Sequence, residues 1–598
     1  MLVADLLFDL PLRHPLSYTV PDGLRVAPGQ RVTAPVQGRA RVGLVVTLRD
    51  ADASGLSAIA SALEPVPVLS PAMLELGVWA AAESLSAAGS TLAALLPPAP
   101  RRGTAESLAP PPMPARSAAP APPELWTDVA RDLRLAELAA RAEGSVLVIA
   151  PDIESAAAWA ERLDGARLDS GAPDAGRRAA WFGAGRGRSR VVVGTRSALL
   201  VPLPPPATLA LLDEADSAHK PPGAPRLHSR ELLVERARRE GSRLILLAGA
   251  PAVETWHHAE LGTFRFDTPA GGKAAGPSAW PEIIAADTRG ILRNHPLTLP
   301  LTRAIEDAGR LGRRVALVVS RGAAALGCDE CGEVLRCPDC GVPLGLARAG
   351  LPLACRICGR QEPAPGACPR CGGHRLSPFG WSPERVEASV RKRFPKLTVA
   401  RAGPRAGGAQ VVIGGAGVLR GLAPGSLSAV GFVALDGLLR IPDFRAGERA
   451  FQSLWAAAEA VGGGGRVIVQ TLHPEHYAIQ AVRQLERRLF YEPELQFRAE
   501  LGYPPYRRLC LLDVRGKTEE GARALIAECT AALRGIPGIR VYAPTPRGTP
   551  AARRPWWRIL VKGPADLPRL LEGPLRSLLE RRRRSPGVVN IEIDPISL

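Results

Sequence analysis

Four cysteine pairs constrain this chain more than any other feature. A C-x-x-C turn directs two thiolates and nearby backbone N–H groups towards one point, which makes half of a tetrahedral metal site. Gly or Pro beside most pairs supplies the tight turns that such knuckles need. The pattern predicts a small, turn-rich module over residues 328–375 that holds two structural Zn²⁺ ions. Eight of the ten cysteines form these pairs: Cys328/Cys331, Cys337/Cys340, Cys355/Cys358 and Cys368/Cys371.

Other cysteine chemistries fit the pattern less well. Disulfides are disfavoured because no secretory signal opens the sequence, which predicts a reducing compartment. A thioredoxin-like site needs only one pair, and the paired, turn-rich pattern favours zinc ribbons over an iron–sulfur cluster. Spacing alone allows the pairs to combine sequentially or in an interleaved way. The two lone cysteines, Cys510 and Cys529, are predicted to be core-packed thiols.

The charge of the chain indicates a polyanionic partner. The 598 residues carry a formal net charge of +18, and the pI is about 10.1. Nucleic acid is the first candidate and an anionic membrane surface the second, whereas a solvated Arg-rich surface is the simple alternative. Without a run of the ~20 apolar residues that cross a bilayer, we expect a soluble, cytoplasmic protein with no membrane partner.

The apolar pattern predicts a multi-domain α/β protein. Continuous apolar runs alternate with helical patterns in two regions, which indicates parallel sheets covered on both faces. The predicted domains are a small β-rich domain (1–97), a Pro/Ala-rich linker (98–123), a first lobe (124–290), a second lobe (291–327 and 376–489) interrupted by the zinc module (328–375), and an α+β C-terminal domain (490–598).

Asp213-Glu214-Ala215-Asp216 follows an apolar run and has the form of a Walker B motif. There the Asp holds Mg²⁺ and the Glu polarises the attacking water, although a surface turn is the simple alternative. A phosphate loop, G-x-x-x-x-G-K-[ST], is expected before the strand at Ser145. Residues 133–144 contain no Gly-rich turn and no Lys, and residues 271–274 lack the hydroxyl residue. Nucleotide binding would rest on Asp213 and Glu214, and we expect no efficient ATP hydrolysis.

Near the C-terminus, guanidinium groups flank two aromatic residues. Arg553-Arg554-Pro555-Trp556-Trp557-Arg558 suits phosphate contact and base stacking. The alternative is one core Trp with solvated arginines. The Arg run at 581–584 allows the same two interpretations: phosphate contact or a solvated face.

Several motifs in one order resemble the bacterial primosomal replication-restart family PriA, in the degenerate form found in actinobacteria. The resemblance covers nearly the whole chain. It is carried by the cysteine spacing and by residues 14–23, 194–199 (Gly-Thr-Arg-Ser-Ala-Leu), 442–449 (Pro-Asp-Phe-Arg-Ala-Gly-Glu-Arg), 467–471, 473–476, 543–546, 558–561 and 594–596.

This resemblance implies a domain that binds DNA 3′ ends, in which Tyr18 and Arg31 are candidate DNA contacts, although either could equally be a packing or a surface residue. It also implies two RecA-like helicase lobes with the zinc module inserted in the second. The family's winged-helix domain is expected to be missing, because the linker runs almost directly into the first lobe. The implied cysteine pairing is interleaved: Cys328, Cys331, Cys368 and Cys371 hold one zinc, and Cys337, Cys340, Cys355 and Cys358 hold the other.

The ATP-handling motifs depart from the family pattern. The Walker A loop is absent, the family's D-E-E-H stands as residues 213–216, its S-A-T as Ala248-Gly249-Ala250, and its arginine-bearing motif as residues 462–466. In the 3′-end domain Ser17 stands where the family has Asp. The zinc and DNA-facing parts persist, which predicts binding and scaffolding rather than unwinding.

The resemblance therefore implies a replication-restart protein that binds stalled or abandoned forks and promotes reloading of the replicative helicase, without helicase activity. The alternatives are an active ATP-dependent 3′–5′ DNA helicase of the family and a zinc-ribbon transcription or RNA-binding factor. The implied partners are forked or branched DNA with 3′ ends, primosome components, the replicative helicase or its loader, and single-stranded-DNA-binding protein. The expected location is the cytoplasm, at the nucleoid.

Overall fold

The computed structural model describes residues 1–100, 121–267, 279–289, 295–320, 325–346, 352–355, 358–377, 381–403, 406–547, 555–580 and 587–598. Arg553, Arg554, the Arg run at 581–584 and residues 271–274 lie outside these ranges, as does most of the predicted linker. Among the described helices, none is long and apolar enough to cross a bilayer.

The N-terminal domain is a five-stranded antiparallel sheet followed by two helices. Its strand order is β2-β1-β4-β3-β5, and Val3, Leu6 and Val32 are wholly buried in it. The predicted helical region over 71–96 divides into two helices. The elements are β1 (Leu2–Phe8), β2 (Leu16–Thr19), β3 (Arg31–Val36), β4 (Arg39–Asp50), β5 (Ser61–Ala62), α1 (Pro71–Glu83) and α2 (Ala88–Leu95).

Lobe 1 is a seven-stranded parallel sheet in the order β12-β6-β11-β10-β7-β9-β8. Its strands alternate between two cores, with Leu147 and Leu209 on one face and Val146 and Ala210 on the other. The elements are β6 (Glu124–Trp126), α3 (Arg131–Arg141), β7 (Ser145–Ile149), α4 (Ile153–Arg162), β8 (Ala166–Leu168), α5 (Asp174–Gly185), β9 (Val191–Gly194), β10 (Ala207–Leu211), α6 (Ser229–Glu240), β11 (Arg243–Leu247), α7 (Val253–Glu260) and β12 (Arg265–Phe266).

The zinc module consists of turns joined by very short strands. It enters after the strand β14 of lobe 2 and leaves before the helix α9. The elements of lobe 2 up to the module, and of the module itself, are β13 (Glu282–Asp287), α8 (Leu299–Arg310), β14 (Val315–Val318), β15 (Gly327–Cys328), β16 (Gly345–Leu346), β17 (Leu353–Ala354), β18 (Gln361–Glu362) and β19 (Leu376–Ser377).

Lobe 2 is a six-stranded parallel sheet in the order β13-β23-β22-β14-β21-β20. Helices α8 and α9 cover one face, and α11 with α12 covers the other. The remaining elements are α9 (Pro383–Arg393), β20 (Val399–Arg401), β21 (Val411–Gly414), β22 (Ala429–Phe432), α10 (Asp436–Leu439), α11 (Ala446–Val461), β23 (Arg466–Thr471), α12 (Tyr477–Gln484) and α13 (Arg488–Leu501).

The C-terminal domain is an antiparallel sheet in the order β25-β27-β24-β28, with β26 also paired to β27. Cys510 and Cys529 are wholly buried in its core, as expected for packed thiols. The elements are β24 (Arg508–Gly516), α14 (Glu519–Leu533), β25 (Arg540–Val541), β26 (Thr545–Arg547), β27 (Trp556–Gly563), α15 (Leu567–Leu579) and β28 (Gly587–Ile593).

Two domain limits differ from those expected from the pattern. The strand β13 lies before residue 290, yet it pairs in parallel with β23 and so belongs to lobe 2. Helix α13 carries Phe490 and Tyr491 into the core of lobe 2 rather than into the C-terminal domain. Both limits depend on pairing between segments far apart in the chain, which local patterns do not report.

Candidate metal centres and the cleft between the lobes

The four C-x-x-C pairs adopt the same knuckle. In each, the glycine after the second cysteine has a φ between 67° and 83°, the left-handed region that glycine adopts without strain. Its N–H donates to the carbonyl of the first cysteine, as in Gly341 to Cys337 at 2.8 Å and Gly372 to Cys368 at 2.9 Å. The N–H of Glu330 also points at the Cys328 Sγ, at 3.3 Å. These turns aim both thiols of a pair to one side.

The pairs combine in the interleaved way. The Sγ atoms of each group of four all lie within 4.8 Å of one another. The tetrads are Cys328, Cys331, Cys368 and Cys371 (centre 1) and Cys337, Cys340, Cys355 and Cys358 (centre 2). The structure thus groups the thiols in the interleaved order and not in the sequential order that spacing also allowed.

The sulfur spacing fits a tetrahedral metal ion. A Zn–S bond of about 2.3 Å implies Sγ–Sγ separations of about 3.8 Å. The separations of Cys328 from Cys371 and of Cys331 from Cys368 are 3.7 Å and 3.6 Å. A disulfide needs about 2.05 Å, so these thiols are arranged for a metal. Each tetrad can hold one ion, and zinc fits the all-thiolate donor set.

The two centres lie in different surroundings. Centre 2 is enclosed: Cys340 is wholly buried, and its carbonyl accepts a hydrogen bond of 2.9 Å from the hydroxyl of Tyr503. It shares a core with Phe444 of lobe 2 and Leu560 of the C-terminal domain. In centre 1, by contrast, Cys371 is exposed. Centre 2 therefore joins three parts of the molecule, whereas centre 1 has one side open.

A cleft of about 1560 Å³ lies between the lobes and reaches the C-terminal domain. Asp213 lies two residues after the end of β10 and lines this cleft, to which its side chain is exposed. Desolvation by the surrounding walls of the cleft raises the pKa of Asp213 to about 6; Arg131 opposes the shift, and the carboxylates of Asp132 and Asp216 add to it. The structure thus places Asp213 where a parallel sheet commonly binds ligands.

Glu214 points away from the cleft. Its side chain is wholly buried, and its Oε1 accepts the N–H of Ala252 at 2.7 Å. Its Oε2 accepts from Arg230 at 2.8 Å and from the Thr255 hydroxyl at 2.9 Å. Both oxygens therefore bind lobe 1 itself, which leaves neither to face a nucleotide in this structure.

The place in lobe 1 where a phosphate loop would lie differs from the one expected from the sequence. The sequence pattern placed it before β7, but residues 133–144 form most of α3 and the chain entering β7. The strand–loop–helix unit of lobe 1 is instead β6, residues 127–130 and α3. Those four residues, Thr-Asp-Val-Ala, contain neither Gly nor Lys, and a phosphate loop needs eight residues with both.

Side chains of lobe 2 bond to lobe 1 at this position. Arg131, the first residue of α3, forms two hydrogen bonds with Glu459 of α11, at 2.9 Å and 2.7 Å. Arg487 donates to the carbonyls of Thr127 at 2.7 Å and Gly249 at 2.8 Å. Trp455 donates to Glu459 at 3.1 Å and stacks under Arg487. We call Arg131, Glu459, Arg487 and Trp455 the interlobe clasp.

Further bonds hold the lobes together around the clasp. Arg420 of lobe 2 pairs with Asp216 at 2.8 Å. On the other side, Arg445 binds Glu254 with both of its terminal nitrogens, at 2.6 Å and 3.2 Å. The ring of Trp256 stacks on Tyr491 at 4.1 Å. Direct protein contacts therefore span the cleft from both edges.

The residues of the clasp were not among the sequence-predicted site residues. Arg131 and Glu459 are 328 positions apart, and nothing in the local pattern of either distinguishes it from a surface residue. The missing phosphate loop was the only sequence signal for the clasp, since its absence showed that other residues must fill the place where the loop would lie.

Tyr18 and Arg31 lie inside the N-terminal domain. Tyr18 is 5% exposed, and its hydroxyl donates to the Pro35 carbonyl at 2.8 Å. Arg31 is 4% exposed; it donates to the Pro97 carbonyl at 2.7 Å and pairs with Glu64. Both side chains hold the domain together in this structure, which fits the packing alternative for the two residues.

The described part of the C-terminal Arg/Trp motif lies on β27. Arg558 is engaged with Asp513 of β24 at 2.7 Å. Trp556 and Trp557 are half-buried, and Arg515 lies over the Trp556 ring at 4.6 Å. The Arg558 side chain is thus held by an ion pair within the sheet, whereas part of each indole ring is accessible to solvent.

Comparison with known proteins agrees with this domain order. Residues 5–97 match the model of the PriA 3′ DNA-binding domain, and residues 499–596 match that of the primosomal protein N C-terminal domain. The chain is 30% identical over 455 residues to the replication restart protein PriA of Synechocystis and 28% identical over 410 residues to that of Bacillus subtilis. The chain is thus similar to PriA proteins in both terminal domains and over about two thirds of its length.

The similarity to PriA proteins is partial in length. The matches cover 69% and 64% of this chain, but 53% and 50% of the Synechocystis and Bacillus subtilis proteins. The chain thus spans about half the length of these relatives. Among solved structures, RecG bound to a three-way DNA junction matches 61% of this chain and 43% of that one, at 8% identity and a TM-score of 0.34. A score this low supports no closer comparison.

Proposed function

We propose that this chain is a replication-restart protein that binds stalled or abandoned replication forks and promotes reloading of the replicative helicase. The two PriA-family domains at its ends support this assignment. The substrates in this proposal are forked or branched DNAs with 3′ ends. Its protein partners are primosome components, the replicative helicase or its loader, and single-stranded-DNA-binding protein, at the nucleoid. Two Zn²⁺ ions, one per cysteine tetrad, hold the module between lobe 2 and the C-terminal domain.

The proposal further states that the protein acts without unwinding DNA. The interlobe clasp is the observation that carries this part. A nucleic-acid motor needs a cradle for the nucleotide phosphates and lobes that move as nucleotide binds and leaves. Here Arg131 and Glu459 meet at the end of the four-residue loop where that cradle would lie. Closing the lobes would need no nucleotide, and opening them would break partly buried ion pairs such as Arg131 with Glu459.

An active ATP-dependent 3′–5′ helicase is the second candidate. One observation favours it: Asp213 follows β10 and faces the cleft, as a Mg²⁺-binding Asp would. The opposing observations are the short loop at residues 127–130 and the inward orientation of Glu214. The two candidates differ in whether the chain turns over ATP.

The test uses the full chain loaded with zinc. Binding to a fork with a 3′ end is compared with plain duplex of the same length, and ATPase and strand displacement are measured on the same fork. We expect preferential fork binding, with turnover equal to that of Asp213→Ala and of the control Asp174→Ala, an exposed carboxylate on α5. Turnover that Asp213→Ala alone abolishes would establish the motor. Equal affinity for fork and duplex would instead contradict the restart assignment.

A further inference from the structure

One edge of lobe 2 concentrates exposed cations. Helix α8 ends in Arg310, and Arg313 and Arg314 follow before β14. Helix α9 ends in Lys392 and Arg393, and the turn to β20 adds Lys396. All six side chains are exposed.

The two segments form one surface. A β-carbon on Gly309 of α8 would lie 2.9 Å from the side chain of Leu397, next to Lys396. Arg393 lies 3.7 Å from Glu306 of α8. We call the six cations, Arg310, Arg313, Arg314, Lys392, Arg393 and Lys396, the basic edge.

Most of this charge is not neutralised locally. Arg310 pairs with Asp307 at 3.4 Å, and Arg393 faces Glu306. Among the residues that the structure describes, Arg313, Arg314, Lys392 and Lys396 have no carboxylate within ion-pair distance. A row of like charges repels itself unless something anionic covers it.

The helix dipole explains only part of the basic edge. Cations in the last turn of a helix stabilise it, which accounts for Arg310, Lys392 and Arg393. Arg313, Arg314 and Lys396 lie outside both helices, so a structural role at a helix end does not account for them.

The location separates the basic edge from the cleft. Helices α8 and α9 cover the sheet face opposite α11, the helix that carries Glu459 of the clasp. The cleft is lined by none of the six cations. Arg314 precedes β14 and Lys396 precedes β20, two strands away across the sheet, which corresponds to about 10 Å. The cations are therefore spread over a width comparable to several phosphates, which follow each other along duplex DNA every few ångströms.

We propose that the basic edge binds the phosphate backbone of a duplex arm of branched DNA. This inference rests on the proposed function, because it names the surface of a fork-binding protein that holds one arm. The ligand class follows from the pattern: exposed point charges spread over helix ends and turns contact a polyphosphate without reading its sequence. The net charge of +18 favours the same ligand.

The experiment compares two triple variants of the full chain. The first removes cations that lie outside the helices: Arg313→Gln, Arg314→Gln and Lys396→Gln. The control removes three exposed arginines that are paired with carboxylates, so that net charge falls equally: Arg238→Gln, Arg289→Gln and Arg523→Gln. Binding to a fork, to plain duplex and to a 3′-ended single strand is measured by fluorescence anisotropy over a range of salt concentrations.

We expect the first variant to bind fork and duplex about tenfold more weakly. The steepness of the decrease of log K with log salt should drop by about 2–3, because each lost phosphate contact removes about 0.9 from the magnitude of the slope. Binding of the single strand should change little, and the control should match the unmodified protein. Equal losses of DNA affinity in both variants would show that only the net charge matters and would overturn the proposal. So would unchanged duplex binding together with lost binding of a polyglutamate peptide, which would assign the edge to an acidic protein segment.

Failure of this proposal is distinguishable from failure of the proposed function. If the unmodified protein prefers forks and the first variant binds fork and duplex with unchanged affinity, the basic edge is excluded and the restart function stands. If the unmodified protein shows no fork preference, the proposed function fails. A thermal melt of each variant, with zinc content, establishes that a loss of affinity does not come from unfolding.

Discussion

A β-carbon on Gly249 would stand 2.3 Å from the Oε1 of Glu459. Gly249 lies in lobe 1 and Glu459 in lobe 2, so the closeness of the two lobes depends on a residue without a side chain. The family's small-residue S-A-T segment stands here as Ala248-Gly249-Ala250. Adding a single methyl group at Gly249 therefore tests whether the lobes pack closely at the clasp.

Gly249→Ala should part the lobes at the clasp. Because the added methyl meets a carboxylate bound by Arg131 and Trp455, we expect a loss of stability of about 1–3 kcal/mol, typical of overpacking. Urea unfolding and an interlobe fluorescence distance would measure it. Gly176→Ala is the control, since that glycine lies in α5 with open space around its Cα. Equal behaviour of the two variants would contradict close packing at the clasp.

Removing one charge of the Arg131–Glu459 pair should destabilise the protein more than removing both charges. Glu459→Gln leaves the nearly buried Arg131 guanidinium without its counter-charge, which we expect to destabilise the protein by about 3 kcal/mol. The double variant Arg131→Met with Glu459→Leu should recover much of that loss, since an apolar pair leaves no unpaired charge. A double-mutant cycle in urea measures the coupling, with the exposed Glu492→Gln as control. Additive effects would argue against a direct pair.

The interleaved tetrads predict which thiols one substitution frees. Cys337→Ser should lower the zinc content from two ions to about one and expose Cys340, Cys355 and Cys358 to alkylation. Cys328 and Cys331 should stay protected, because they belong to the other centre. Sequential pairing would free Cys328 and Cys331 instead. Mass spectrometry of the alkylated protein separates the two outcomes.

The two centres should differ in their effect on stability. Cys337 shares a core with lobe 2 and the C-terminal domain, whereas Cys371 is exposed. We expect Cys337→Ser to lower the unfolding temperature clearly more than Cys371→Ser, although each removes about one zinc ion. Equal shifts at equal zinc loss would contradict a joining role for centre 2.

The raised pKa of Asp213 predicts a pH-dependent stability. Since the folded pKa of about 6 exceeds the ordinary value of 3.8, the folded state binds more protons between these values, and stability falls as pH rises through this window. Asp213→Asn should therefore stabilise the protein at pH 8 by on the order of 1 kcal/mol, after allowing for solvent screening. The gain should vanish near pH 4. Asp216→Asn is the matched variant, and it should destabilise because Asp216 pairs with Arg420.

Local patterns predicted the regular elements well where a strand or turn carries its own signal. The buried strands β7, β9, β10 and β11 were expected from continuous apolar runs, and all four lie in one parallel sheet. Strand β6 has only three residues, and β13 is a run of four apolar residues between two acidic ones, so neither was recognised. Missing β6 also placed the phosphate-loop position one strand too late.

The sequence by itself determined the cysteine knuckles, because each is a local turn whose glycine and thiols lie within five residues. It also determined the two-lobed plan and the absence of a glycine-rich phosphate loop before β7. Only the tertiary structure decided that Tyr18 and Arg31 are core residues, that Glu214 points inward and that Arg131 meets Glu459. These outcomes depend on which distant segments pack together, and burial and ion pairing between residues hundreds of positions apart leave no periodic trace in the chain.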